Sequence, residues 1–83
     1  MNKIYYHKRA IKFLKKIPKK SAQLVYSKID KLAVLKQWSS LDIKRLVNTK
    51  ASYRLRVGNI RVIFEQIKQT IYVQEIDFRG NIY

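Results

Sequence analysis

The dipeptide Gly58-Asn59 interrupts a run in which every second residue is apolar, and no other feature constrains the fold as much. Before it, Tyr53, Leu55 and Val57 alternate with Arg54 and Arg56. After it, Ile60, Val62 and Phe64 alternate with Arg61, Ile63 and Glu65. Alternation of this kind marks a strand with one buried face, and a two-residue loop led by glycine joins two such strands into a hairpin. The loop length also sets the register. Val57 faces Ile60, Arg56 faces Arg61, Leu55 faces Val62, Arg54 faces Ile63 and Tyr53 faces Phe64. One face of the hairpin is therefore apolar from end to end, and the other carries three arginines.

Upstream the period changes. Asn2 to Tyr6 is short and β-prone, a candidate first strand. From Lys8 onward Ala10, Phe13, Leu14 and Ile17 follow the spacing of an amphipathic helix, with lysines between them. Pro18 ends that helix, and a second is expected over about Lys20 to Trp38, with Ala22, Val25, Ile29 and Leu32 on its buried stripe. Two helices joined so tightly form an antiparallel hairpin. Leu41 to Lys50 reads as an irregular connection. After the arginine hairpin, Lys68-Gln69 offers a second tight turn before a last strand at Ile71 to Ile76. The expected architecture is α+β: an N-terminal strand and a two-helix hairpin packed on one face of a small antiparallel sheet, a single domain over residues 1–83.

Composition narrows the chemistry. The chain has 19 Lys+Arg against 5 Asp+Glu, a net charge of +14, yet it is 47% hydrophobic and so is not a disordered basic tail. There is no cysteine and one histidine, His7, so a thiolate nucleophile, a zinc site and a Ser-His-Asp triad are all excluded; neither a cofactor nor a metal is expected. The longest purely apolar run is Leu32 to Leu35, and the N-terminus has no stretch resembling a signal peptide. A cytoplasmic protein with no membrane partner is expected. So large a charge on so small a domain points to a polyanionic partner, with nucleic acid foremost. Residues 1–50 hold 14 basic and 2 acidic residues, and 12 of the 13 lysines, whereas four of the six arginines lie in 51–83. Lysines supply a diffuse field, and arginines a shaped site.

Like charges directly opposed in a sheet lie ~4.5–5.5 Å apart and destabilise it. Stability alone gives no reason to place Arg56 opposite Arg61 with Arg54 on the diagonal. Three guanidinium groups within reach of one point suit a phosphodiester.

These residues carry a resemblance. The stretch Lys44 to Glu65 (KRLVNTKASYRLRVGNIRVIFE) and the ending Ile76 to Tyr83 (IDFRGNIY) resemble the RelE/ParE superfamily of type II toxins, over nearly the whole chain. The resemblance implies a ribosome-dependent, metal-independent endoribonuclease that cuts messenger RNA in the ribosomal A site and is neutralised by an acidic antitoxin. It places Arg54, Arg56, Arg61, Arg79 and Tyr83 in the catalytic set. The pattern departs from the best-known members in two places. Arginines stand where lysines are usual on the strand, and arginine is a poor base. Phe78 stands where a histidine often precedes the terminal arginine. Charge stabilisation is well supplied while the proton acceptor stays open, with Glu65 or a phenol as candidates. The same scaffold implies an alternative, a ParE-type inhibitor of DNA gyrase that cleaves nothing, and a basic RNA-binding module is a third reading.

Overall fold

Pro18 separates two helices whose caps follow from the residues on either side of it. The computed structural model describes residues 3–47 and 51–78. Its elements are β1 (Lys3–Tyr6), α1 (Lys8–Lys16), α2 (Lys19–Asp30), β2 (Asp42–Arg45), β3 (Ser52–Val57), β4 (Ile60–Ile67) and β5 (Thr70–Phe78). His7 caps α1: its Nδ1 accepts the backbone N–H of Arg9 at 3.1 Å, satisfying one of the orphan donors of the first turn. Ile17 then leaves the helix in extended conformation, as the residue before a proline must, and α2 begins directly after Pro18. The expected apolar stripes are the buried ones. Ala10 and Leu14 of α1, and Ala22, Val25 and Ile29 of α2, join the core.

The second helix is shorter than its periodicity suggests. It stops at Asp30, and two 3₁₀ turns follow, Lys31–Ala33 and Leu35–Ser40, separated by Val34 in extended conformation. This break folds the chain back so that Trp38 lies on the apolar face of the sheet. Its ring meets Tyr53 edge-on at 5.4 Å and Phe64 at 5.7 Å, while its Nε1 donates to the Leu32 carbonyl at 3.0 Å. Trp38 is therefore a packing residue.

The five strands form one sheet in the order β1-β5-β4-β3-β2. The hairpin register is the one the loop length dictates, from Tyr53↔Phe64 to Val57↔Ile60. Gly58 has φ +60° and Asn59 does not share the positive value, the pattern of a type II′ turn. Lys68-Gln69 is the second tight turn, with Lys68 itself at φ +55°. Three features depart from the expectation. The sheet is mixed, because β1 runs parallel to β5, from Lys3↔Thr70 to Tyr6↔Val73; β1 is followed by helices and reaches only a distant partner across them. Part of the connection expected to be irregular is strand β2, pairing Asp42↔Arg56 through Arg45↔Tyr53 at the sheet edge. Finally, the β4–β5 ladder slips by one residue, so that Ile63 faces Glu75 while Phe64 faces Val73.

That slip is a β-bulge in which Gln74 is the extra residue, and it settles where the end of β5 points. Without it Glu75 and Asp77 would face the helices. With it, Ile76 is buried in the core beside Leu55 and Val62. Phe78 falls opposite Ile60 and meets Phe13 of α1 edge-on at 5.1 Å. The core lies between this sheet face and the helices, and Phe64 is its largest fully buried side chain. Among the described residues no helix is long and apolar enough to cross a membrane.

Candidate nucleic-acid interface

The strand pairings align the residues of the open sheet face in three rows. Asp42, Arg56, Arg61 and Asp77 form one row across β2, β3, β4 and β5; Lys44, Arg54, Ile63 and Glu75 form the next. The third is Ser52, Glu65, Tyr72 and, on β1, Tyr5. Successive rows are two residues apart, ~6.6 Å along the strands. Arg54, Arg56 and Arg61 thus share one face, on the side of the sheet away from the helices, as the alternation predicts.

The three arginines are not equivalent. Arg54 is 9% exposed, the one charged residue in the buried class among the described residues, whereas Arg56 and Arg61 are half-buried. The Nε atoms of all three are buried. Burial of the Nε atoms holds the stems in place, and of the three guanidinium groups those of Arg56 and Arg61 are the more accessible to an anion.

Asp42 holds two of them. Its Oδ1 accepts from Arg54 Nη2 at 3.2 Å, and its Oδ2 lies 3.7 Å from Arg56 Nε. The carboxylate relieves part of the repulsion between the arginines. Its own side chain is 52% exposed, so the pair with the half-open Arg56 contributes little in water, whereas the buried Arg54 depends on it more. Sequence reasoning missed Asp42 because it read 41–50 as irregular. The available signal was weak: Leu41 and Ile43 alternate with Asp42 and Lys44, but Arg45 ends the pattern, as an edge strand allows.

The face is less cationic than the arginines alone imply. Four of the five acidic residues, Asp42, Glu65, Glu75 and Asp77, belong to its rows, two of them because of the bulge. Glu65, a candidate proton acceptor, accepts a hydrogen bond from Gln74 Nε2 at 2.7 Å. Most of the excess charge sits on the helical layer instead. Lys8, Arg9, Lys12, Lys15 and Lys16 of α1 are all exposed. There α1 and the end of β5 border a cleft of about 480 Å³ lined by Arg9, Lys12 and Lys16, by Phe13, Ile17 and Phe78, and by Glu75 and Asp77. The remaining expected site residues, Arg79 and Tyr83, lie outside the described residues. Among the described residues no group of His, Asp and Glu is arranged to hold a metal ion.

Neither a protein-family model nor a curated protein sequence matches the chain. Solved structures do. The chain resembles one in the archaeal RelE–RelB complex of Pyrococcus horikoshii OT3, with a TM-score of 0.82 and 25% identity over 96% of this chain and 97% of that one. It is similar to one in the RelB–RelE antitoxin–toxin complex of Methanococcus jannaschii, with a TM-score of 0.67 and 28% identity over 94% and 93%. The fold is shared with the intact E. coli RelBE complex at a TM-score of 0.78, with 12% identity over 98% and 99%.

Proposed function

Taking as premise a chain with the fold of RelE toxins, we propose that it is the toxin of a toxin–antitoxin pair, a ribosome-dependent, metal-independent endoribonuclease that cleaves messenger RNA. The observation that carries this reading is Arg56 directly opposite Arg61 with Arg54 on the same face, three guanidinium groups gathered between the flanking carboxylates Asp42 and Asp77.

In the reaction that suits these groups, the ribose 2′-oxygen attacks the adjacent phosphorus. A P–O2′ bond forms and the P–O5′ bond breaks, leaving a 2′,3′-cyclic phosphate and a free 5′-hydroxyl. Arg56 and Arg61, with Arg54 behind them, stabilise the charge that builds on the non-bridging oxygens, usually the largest catalytic term. The 2′-proton needs an acceptor. Both carboxylates nearest the arginines are already engaged, Asp42 by Arg54 and Arg56 and Glu65 by Gln74, so the acceptor has to be released from one of these contacts or be a phenol. Arg79 would assist the leaving 5′-oxygen and Tyr83 would orient a base. The ribosome would hold the message in line for attack, an orientation that this shallow face does not impose by itself.

The partner belongs to the same proposal. The cleft beside α1 is lined by three basic residues against two acidic ones, with apolar side chains among them, which fits an amphipathic acidic segment of an antitoxin. Such binding weakens as salt rises.

Induced expression followed by mapping of message 5′ ends, with and without ribosomes, tests the reading. Cuts within translated codons that disappear in Arg61→Ala support it; continued translation on intact messages overturns it. One observation favours the ParE-type alternative: Asp42 already pairs Arg54 and Arg56, as it would if they served binding only. Trapped gyrase–DNA cleavage complexes on intact messages would establish that reading instead.

A further inference from the structure

The third row of the open face carries, beside Glu65, an aromatic pair that the other two rows lack. Tyr5 and Tyr72 stand opposite each other across the parallel β1–β5 pair, with ring centroids 5.8 Å apart and planes inclined by 17°. They are 55% and 38% exposed. The other tyrosines described on β1 and β3 behave differently: Tyr6 meets Tyr26 of α2 at 5.6 Å, and Tyr53 stacks on Phe64 within the core side. Tyr5 and Tyr72 are therefore a stacked aromatic pair left in solvent, which folding alone does not require. A recess of about 180 Å³ adjoins them, bordered also by His7 and Gln74. Lys3, two residues before Tyr5 on the same strand face, and Lys68 in the neighbouring turn add cations at the near end of the sheet.

We propose that Tyr5 and Tyr72 form a base-stacking platform for single-stranded RNA whose backbone runs across the open face to Arg54, Arg56 and Arg61. The inference rests on the nucleolytic reading for its direction along the sheet, and adds to it a nucleotide subsite. Three physical points carry it. Exposed aromatic rings on a sheet surface are platforms on which proteins hold single strands, because every base has a π-face. The tyrosine row lies ~6.6 Å from the Arg54 row along the strands, and β3 is two strands across from β5, so Tyr72 stands roughly 12 Å from Arg54 and roughly 16 Å from Arg56 along the sheet, a span that a few nucleotides of extended strand bridge. Lys3 and Lys68 supply cations for a phosphate backbone at this end of the sheet, against Glu65 in the same row and Glu75 in the next. Single-stranded rather than paired RNA is required, since only unstacked bases offer their faces.

The experiment measures fluorescence anisotropy of a labelled, single-stranded 2′-O-methyl RNA oligonucleotide titrated with the full chain. The probe has no 2′-hydroxyl, so binding is read apart from any cleavage, and no ribosome is present. A Tyr5→Ala/Tyr72→Ala variant is expected to bind roughly tenfold more weakly, with an unchanged slope of log affinity against log salt, because stacking is lost and no phosphate contact is. Tyr5→Phe/Tyr72→Phe, which keeps both rings, is expected to bind like the parent and guards against a folding defect in the alanine variant. On an abasic version of the same oligonucleotide the parent and alanine variants are expected to bind equally. Unchanged affinity in the alanine variant, an equal loss on the abasic backbone, or tighter binding of double-stranded RNA would each overturn the platform. Binding through the tyrosines without ribosomal cleavage would leave the platform standing and remove the nuclease. Cleavage with tyrosine variants that bind like the parent would do the reverse.

Discussion

Arg54 Nη2 donates to Asp42 Oδ1 at 3.2 Å, joining a buried cation on β3 to an exposed carboxylate on the edge strand β2. The pair fastens the edge of the sheet to its interior. Asp42→Ala leaves Arg54 buried without its carboxylate, and the expected loss is ~1–3 kcal/mol in urea unfolding. Adding Arg54→Met to that variant is expected to recover much of the loss, since the unpaired cation goes with it. If the single variant unfolds at the same urea concentration as the parent, the pair does not hold the edge.

The two tight turns make a matched test of backbone strain. Gly58 sits at φ +60° with nothing within 4 Å of an added Cβ, so Gly58→Ala meets no clash, and its cost is the glycine-only backbone of the first central position of a type II′ turn, ~1–3 kcal/mol. Lys68 also has a positive φ, +55°, but with a side chain present. Lys68→Gly is therefore expected to be neutral or stabilising by up to ~1 kcal/mol, the opposite sign. Thermal melting of both variants checks the pair.

Phe64 is fully buried and touches Tyr53 at 5.4 Å and Trp38 at 5.7 Å, so it ties the second 3₁₀ turn to the hairpin. Phe64→Ala is expected to cost ~3–5 kcal/mol. A small domain has only ~5–15 kcal/mol in total, so the variant should be largely or partly unfolded at 37 °C. Circular dichroism and denaturant unfolding report it.

Tyr6 gives the chain an alkaline limit. Burial, then the Asp30 carboxylate and Tyr26, push its phenol well above the ordinary value of 10.0. Below that value both folded and unfolded chains keep the proton, and Tyr6 adds no pH dependence. Above it the unfolded chain releases a proton that the folded chain retains, so stability falls as pH rises. Tyr6→Phe is expected to shallow that decline in urea midpoints measured between about pH 8 and 11. Identical slopes would show that the phenol is not perturbed.

The hairpin was legible from sequence because one glycine and strict alternation leave a single register, and the arginine face followed from it. The helices were legible at their starts, where Pro18 and the change of period are local signals. The end of α2 was not, because Leu32, Leu35 and Trp38 keep an apolar rhythm through a segment that breaks at Val34. Strand β2 escaped notice because an edge needs little apolar patterning, and with it Asp42 was missed. The direction of β1 depends on a partner about sixty-five residues away, which no short-range pattern encodes. Glu75 looked misplaced by simple counting from the Lys68-Gln69 turn; one unpaired residue in the ladder accounts for it.

Gln74 acts on β5 as an inserted letter acts on a reading frame. Everything after it is phased by its presence: Ile76 inward, Glu75 and Asp77 outward. Removing it would invert that segment, turning two carboxylates toward Leu55 and Val62 and an isoleucine into water. A substitution at position 74 costs at most the hydrogen bond to Glu65, whereas a change in the number of residues there inverts the strand, so the stronger constraint is on length.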